Sequence, residues 1–234
     1  MGPQVADGTA ARLNAHPHSR GLGLASDATR KRLIDDVRRM GVKDEKVLAV
    51  LAKLPRHEFI EDALKGRAYD NDALPIGLAQ TISQPYIVAL MTEAIFRDGA
   101  KPAKVLEVGT GSGYQTAVLA EMVPAVFTVE RLRALSEVAR KRLAALHYHN
   151  IAFSYGDGMN GWASHGPYDA IVVTAGAEKV PPALIEQLKV GGRLVIPVAA
   201  ARAQALKLIT RTATGTTSQD LGGVSFVPLL AGRA

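Results

Sequence analysis

The stretch Val105-Leu106-Glu107-Val108-Gly109-Thr110-Gly111-Ser112-Gly113 decides the fold of this 234-residue chain. Apolar residues lead into an acid, the acid into three alternating glycines, and apolar residues then resume at helical spacing with Ala117, Val118 and Ala120. A buried strand that breaks into a turn and restarts as a helix has this pattern. Glycine accepts a positive φ and lets a ligand approach the main chain closely. The spacing is E-x-G-x-G-x-G. The dinucleotide fingerprint is G-x-G-x-x-G, with no acid ahead of it. A carboxylate at a strand tip suits a ligand with an ammonium or sulfonium centre and repels a pyrophosphate. The stretch therefore points to S-adenosylmethionine, held by Glu107, Gly109, Thr110, Gly111 and Gly113, with the turn's backbone amides on the methionine part.

Outward from this turn, strands and helices alternate. The sequence predicts a helix over 84 to 97, a strand over 104 to 108, a helix over 113 to 122, a strand over 125 to 130 and a helix over 131 to 146. Strands over 151 to 155 and 169 to 174, a helix over 181 to 189 and a strand over 192 to 198 follow. Such alternation implies βαβ units and a parallel sheet covered on both faces. Residues 204 to 211 and 222 to 229 read as two strands with only a polar turn between them, which permits antiparallel pairing alone. A mostly parallel seven-stranded sheet with a C-terminal antiparallel hairpin is the Rossmann-like α/β plan of class I methyltransferases.

Ahead of the core, Ser26 or Asp27 caps a predicted helix through Met40, a second runs from Asp44 to Lys53, and a short third covers 58 to 66. Residues 68 to 83 read as a long functional loop. Residues 1 to 25, rich in Gly, Ala, His and Pro without periodicity, are expected to be a disordered leader. The remainder is expected to be one domain: helical cap and substrate loop over 26 to 83, cofactor-binding core over 84 to 200, and hairpin over 201 to 234.

In an open parallel sheet the ligand lies beyond the carboxyl ends of the strands. The second core strand ends at Glu130, 23 residues after Glu107, where the ribose-binding acid of a nucleotide fold belongs. The third ends in Gly156-Asp157-Gly158, a tight turn from which Asp157 is expected to accept from an adenine amino group. Each acid alone reads equally well as a strand-end or turn residue. Three such features in order at successive strand ends favour the cofactor.

Composition narrows the acceptor. With no cysteine there is no disulfide, no thiolate zinc site and no nucleophile for cytosine C5 methylation. No apolar run approaches membrane length, and Met1 to Gly8 has no secretory pattern, so a cytoplasmic protein is expected. The net charge is +6, but Arg30, Lys31 and Arg32 alternate with Asp27, Asp35 and Asp36, and no aromatics interleave. That reads as a solvated face, not a nucleic-acid site. Tyr168-Asp169-Ala170-Ile171-Val172-Val173 lacks the Asp/Asn-Pro-Pro-aromatic run of base-amino methylation, and Asp169 stands alone where a metal site would need clustered ligands. The His16/His18 and His147/His149 pairs read as solvent-facing, so no metal is expected. On these residues a small-molecule or RNA methyltransferase, or a non-catalytic module that binds the cofactor, stays open.

The segment Leu74-Pro75-Ile76-Gly77-Leu78-Ala79-Gln80-Thr81-Ile82-Ser83-Gln84-Pro85-Tyr86 narrows this further. Its T-I-S-Q-P-Y run resembles the bacterial protein-L-isoaspartate O-methyltransferase family. Pro55-Arg56-His57-Glu58-Phe59, the EVGTGSGY turn at 107 to 114, Val173-Thr174-Ala175-Gly176-Ala177 and Phe226-Val227-Pro228-Leu229 support the resemblance, which covers about 26 to 230. It implies methyl transfer to the free α-carboxylate of isoaspartyl residues in proteins, with repair through a succinimide and S-adenosyl-L-homocysteine as by-product. It implies that Ser83 is the active-site serine, that Gly77, Gln80, Thr81 and Ser83 close over the cofactor, and that Ile82, Ser83, Ala175 and Val227 meet the substrate. Spacing alone reads Ser83 as the N-cap of the helix that follows.

Overall fold

A computed structural model gives the fold and describes residues 26–200 and 203–234. The leader expected over 1 to 25, with His16 and His18, lies outside the described residues. α1 (Asp27–Arg39) begins at Ser26, whose hydroxyl accepts from the Thr29 N–H at 3.2 Å. α2 (Glu45–Lys53) begins at Asp44, whose carboxylate accepts from Lys46 and Val47. Both caps satisfy donors that a first helical turn leaves without an intrahelical partner. The short third helix is instead two 3₁₀ turns, Arg56–Phe59 and Asp62–Arg67.

Residues 68 to 83 are more ordered than their sequence suggested. They hold a small hairpin, β1 (Leu74–Pro75) against β2 (Thr81–Ile82), antiparallel. Strands of two residues are too short to show an alternation.

The core follows as α3 (Pro85–Phe96), β3 (Lys104–Val108), α4 (Tyr114–Met122), β4 (Ala125–Glu130), α5 (Arg133–Ala145), β5 (Ile151–Tyr155), β6 (Tyr168–Val173), α6 (Pro182–Glu186), β7 (Leu188–Ala199), β8 (Gln204–Arg211) and β9 (Thr216–Val224). One seven-stranded sheet has the order β5-β4-β3-β6-β7-β8-β9, in which only β8 runs against the rest. This is the expected class I methyltransferase plan. The chain passes from β3 out to β5 and returns to β6 on the other side of β3. The resulting switch point lies at the carboxyl ends of β3 and β6, where such sheets bind ligands.

Two boundaries moved. The helix expected to reach 189 stops at Glu186, because Leu188 joins β7 and pairs with Tyr168 of β6. The last strand lies at 216 to 224 and not 222 to 229: a polar edge strand carries no buried face, so Thr216-Thr217-Ser218 read as a turn. Residues 226 to 229 run on as a separate segment beside Gly176, joined by the Gly176 N–H to the Val227 carbonyl at 2.8 Å and the Leu229 N–H to the Gly176 carbonyl at 2.8 Å.

Both faces of the sheet are covered. Val105, Leu106, Ala170, Ile171, Val172 and Val195 are all fully buried, split between an apolar cluster with α3 and one with α6. α1 and α2 attach through a third cluster that includes α4 residues Ala117 and Val118. At the edge opposite the glycine turn, Asp169 accepts from the Ala103 and Lys104 N–H groups at 3.0 and 2.9 Å and pairs with Lys189 at 2.6 Å. This carboxylate thus fastens the entry of β3 to β6. Burial works to raise its pKa, but the Lys189 hydrogen bond and the two N–H donors hold it below the ordinary value.

Asp169→Ala is expected to lower the unfolding free energy at pH 7 by about 1–3 kcal/mol, measured by urea denaturation. A depressed carboxylate pKa contributes stability above the unfolded value and loses it on acidification. The difference between wild type and variant should therefore shrink as the pH falls below about 4.

Candidate active site

A cleft opens at the switch point, lined by the main chain of the glycine turn and by the end of β4. The turn after β3 and the end of β4 form its floor. The β1–β2 hairpin walls one side, and Thr174, Ala175 and residues 227 to 230 wall the other.

The floor is built on buried hydrogen bonds. Gly109 takes a φ of 96°, and a Cβ there would run into the Thr174 hydroxyl, which donates to the Gly109 carbonyl at 2.6 Å. Only glycine fits that contact. A Cβ on Gly111 would meet only Ile76, at 3.5 Å, which leaves the main chain bare toward the cleft. The amides of these glycines are not vacant. Gly109 N–H donates to the Val129 carbonyl, Gly111 N–H to the Glu130 carboxylate and Gly113 N–H to the Thr110 carbonyl. These three amides hold the turn, while the main chain of Gly109, Thr110 and Gly111 lines the cleft.

The reading of Glu107 is corrected. It lies beneath the turn, fully buried and outside the cleft lining, with the Thr116 and Thr128 hydroxyls donating to one oxygen at 2.5 and 2.7 Å. Thr128 in turn bonds the Thr110 hydroxyl at 2.6 Å. Burial pushes the Glu107 carboxyl up to about 8, against the two hydroxyl donors, with the nearby Glu130 charge adding to the rise. Burial thus favours the protonated acid, which supports the turn instead of facing a cationic ligand.

At the end of β4, Glu130 does reach the cleft. Its carboxylate accepts from Gly111 and Leu132 N–H, both at 2.9 Å, which fixes it in place with lone pairs left for a ligand's hydroxyls. Asp157 does not reach it: its oxygens accept from Met159 and Gly232 N–H, at 2.9 and 2.8 Å. Of its flanking glycines, Gly158 lines the cleft and Gly156 does not. Gly113 turns away to pack on the Leu143 side chain of α5, and Gly77 sits at the hairpin tip outside the lining.

The hairpin brings Gln80, Thr81, Ile82 and Ser83 into the wall. Its tip holds Leu78 and Ala79 at φ of 50° and 55°, strained for residues with a Cβ, and Leu78 is exposed. Strain of this kind gathers at ligand clamps. Ser83 does not cap α3. The cap position is Gln84, without a side-chain bond, and Asn71 reaches across to accept from the Tyr86 N–H at 2.9 Å. The serine hydroxyl is thereby left free for the cleft.

The residues present fit S-adenosylmethionine. Glu130 offers acceptors for hydroxyls, and Gln115 lines the cleft with its side-chain oxygen buried and unpartnered among the described residues. Residues 28–234 match the family model of protein-L-isoaspartate(D-aspartate) O-methyltransferase. The chain is 57% identical over 193 residues to the protein-L-isoaspartate O-methyltransferase of Shewanella pealeana, covering 82% of this chain and 90% of that one. To the enzyme of Halorhodospira halophila it is 49% identical over 213 residues, covering 91% and 96%. The chain belongs to the protein-L-isoaspartate(D-aspartate) O-methyltransferase family. A solved structure of a protein-L-isoaspartate O-methyltransferase superposes with a TM-score of 0.76 at 30% identity, covering 85% of this chain and 65% of that one. A second, from Plasmodium falciparum and in complex with S-adenosyl-L-homocysteine, superposes with a TM-score of 0.75 at 25% identity, covering 86% and 98%.

Within this family fold, sequence reasoning missed Gln115, Arg131 and Leu230 as cleft residues. Gln115 lies one turn into a helix read only for its apolar face. Arg131 and Leu230 are brought in by the last residues of the chain, where the Arg131 side chain donates to the Gly232 carbonyl and the Arg133 N–H to the Ala234 carbonyl. No local pattern announces that return. Among the described residues no group of three or more His, Asp and Glu is placed to hold a metal, and no helix is long and apolar enough to cross a membrane.

A raised carboxyl pKa means the folded state holds its proton more tightly than the unfolded chain. Glu107 should therefore make stability fall as the pH rises from about 4.5 to about 8. The slope from this group is at most about 1.4 kcal/mol per pH unit. Glu107→Gln, which mimics the protonated form, is expected to remove that part of the slope in denaturation series from pH 5 to 8.5. It should also leave S-adenosyl-L-homocysteine binding intact at pH 7, read by calorimetry.

Proposed function

We propose that this cleft transfers a methyl group to the free α-carboxylate of L-isoaspartyl residues in damaged proteins, with Ser83 as the group that orients the carboxylate. The observation that carries this is the Ser83 hydroxyl, left without a capping role in a wall of the same cleft that the glycine turn floors. Bound S-adenosylmethionine supplies a methyl group on a positively charged sulfur. Glu130 and Gln115 are the acceptors that would hold it, over the main chain of Gly109, Thr110 and Gly111.

An α-carboxylate with an ordinary pKa of about 3.5 is already ionised at neutral pH. It needs no base, and none of the lining residues is a histidine. Ser83 donates to one carboxylate oxygen and leaves the other to react, so its contribution is alignment. The hairpin around Thr81 and Ile82 keeps water from the reacting groups, which favours a reaction in which opposite charges cancel. Ala175 and residues 227 to 229 offer main-chain groups along the opposite wall for an extended peptide. The neighbouring main-chain nitrogen then displaces methanol from the ester to close a succinimide, whose hydrolysis returns part of the material as ordinary aspartyl linkage.

The test is transfer of labelled methyl from S-adenosylmethionine to two peptides that differ only in isoaspartyl against aspartyl at one position. Base-labile label on the isoaspartyl peptide alone is the expected result. Label on neither, with cofactor bound, would contradict the acceptor assigned. Ser83→Ala is expected to lower kcat/KM for the isoaspartyl peptide about 10- to 100-fold, the weight of one hydrogen bond to a charged group. Its melting temperature should stay near wild type, because no cap is lost.

A further inference from the structure

Arg56 takes no part in the reaction as derived above, yet it is the largest fully buried side chain of the described residues. One of its nitrogens, Nη2, donates to the Ser83 carbonyl at 2.9 Å and to the Asp72 carbonyl at 3.3 Å. Its guanidinium carbon lies 4.8 Å from the centre of the Tyr114 ring. No carboxylate pairs with it among the described residues, and its Nε and Nη1 make no hydrogen bond of good geometry there, the Tyr114 hydroxyl being the polar group that acts on the guanidinium. A buried cation in that condition is costly, and an apolar side chain of similar volume commonly serves stability as well or better. A role in packing alone does not account for it.

Its two contacts belong to two different elements of the cleft. Ser83 ends the substrate hairpin, and Tyr114 begins α4 directly after the glycine turn; both line the cleft. Tyr114 is itself braced edge-on by Phe59, with ring centres 5.4 Å apart. Hydrogen bond and ring contact together need a planar fork that donates in its plane and stacks on its face, which a lysine ammonium cannot reproduce. We propose that Arg56 is a positioning residue, which ties the Ser83 main chain to the Tyr114 ring and so fixes the serine hydroxyl relative to the glycine turn. This rests on the reading of Ser83 given above.

The test is a double-mutant cycle on the full chain with Arg56→Met, Ser83→Ala and the pair, and with Arg56→Lys as a second probe. The readouts are kcat and KM for the isoaspartyl peptide, counted per molecule that binds S-adenosyl-L-homocysteine, and the Kd of that ligand. Arg56→Met is expected to lower peptide kcat/KM about tenfold or more while the ligand Kd stays within about twofold. In the Ser83→Ala background the same change should cost less than about twofold, because there is no hydroxyl left to place. Arg56→Lys should recover only part of the loss. Losses that multiply independently of Ser83, or unchanged turnover per binding-competent molecule, would overturn the proposal. If Arg56→Met does not fold, the cycle run with Arg56→Lys decides on the same criterion. A wild-type enzyme that binds S-adenosyl-L-homocysteine but leaves the isoaspartyl peptide unmodified would overturn the function reading, and this one with it.

Discussion

The hydrogen-bonded cluster of Glu107, Thr116, Thr128 and Thr110 under the glycine turn is the constraint on which the site depends. It joins three elements, β3, β4 and α4, at the point where the parallel strands end. A turn of alternating glycines has little stiffness of its own, so its shape must come from below and from the sides. The cluster supplies the first. The Thr174 bond to the Gly109 carbonyl and the Glu130 bond to the Gly111 amide supply the second. Because each polar group in the cluster is buried, replacing one leaves its partner unsatisfied, which makes the arrangement cooperative.

This support frees the upper surface of the turn. The glycine amides are used inside the protein, and what faces the cleft is bare main chain with Glu130 and Gln115 beside it. The opposite wall is a hairpin with only two residues in each strand, whose own pairing contributes little. Its position is set by anchors outside it: Asn71 at the start of α3, and Arg56 at the Ser83 carbonyl. The chemistry assigned to the cleft asks for two reactants held in line and little else. A rigid floor and an anchored wall are what such a reaction needs from its protein.

The sheet was legible because strands buried on both faces read as continuous apolar runs, as Val105-Leu106 and Ile171-Val172-Val173 do, each followed by turn residues and a helical pattern. Legibility failed where no such face exists: the two-residue hairpin strands, the polar edge strand Thr216–Val224, and the stretch after Glu186 that continues as strand. For the site, the T-I-S-Q-P-Y run pointed to Ser83 and the strand-end position to Glu130, and both line the cleft. Glu107 misled, because a motif gives an acid's place in the chain and not which way its side chain turns. Asp157 stands outside the cleft lining, its carboxylate turned to the Met159 and the returning Gly232 amides. Partners brought from distant parts of the chain leave no local signal.

The most direct measurement is a crystal structure of the protein with S-adenosyl-L-homocysteine and an isoaspartyl peptide. The account requires the ligand over Gly109, Thr110 and Gly111 with its hydroxyls on Glu130, Glu107 still closed off beneath, and the peptide's α-carboxylate against the Ser83 hydroxyl. A peptide carboxylate seated away from Ser83, or a ligand ammonium in direct contact with Glu107, would contradict it.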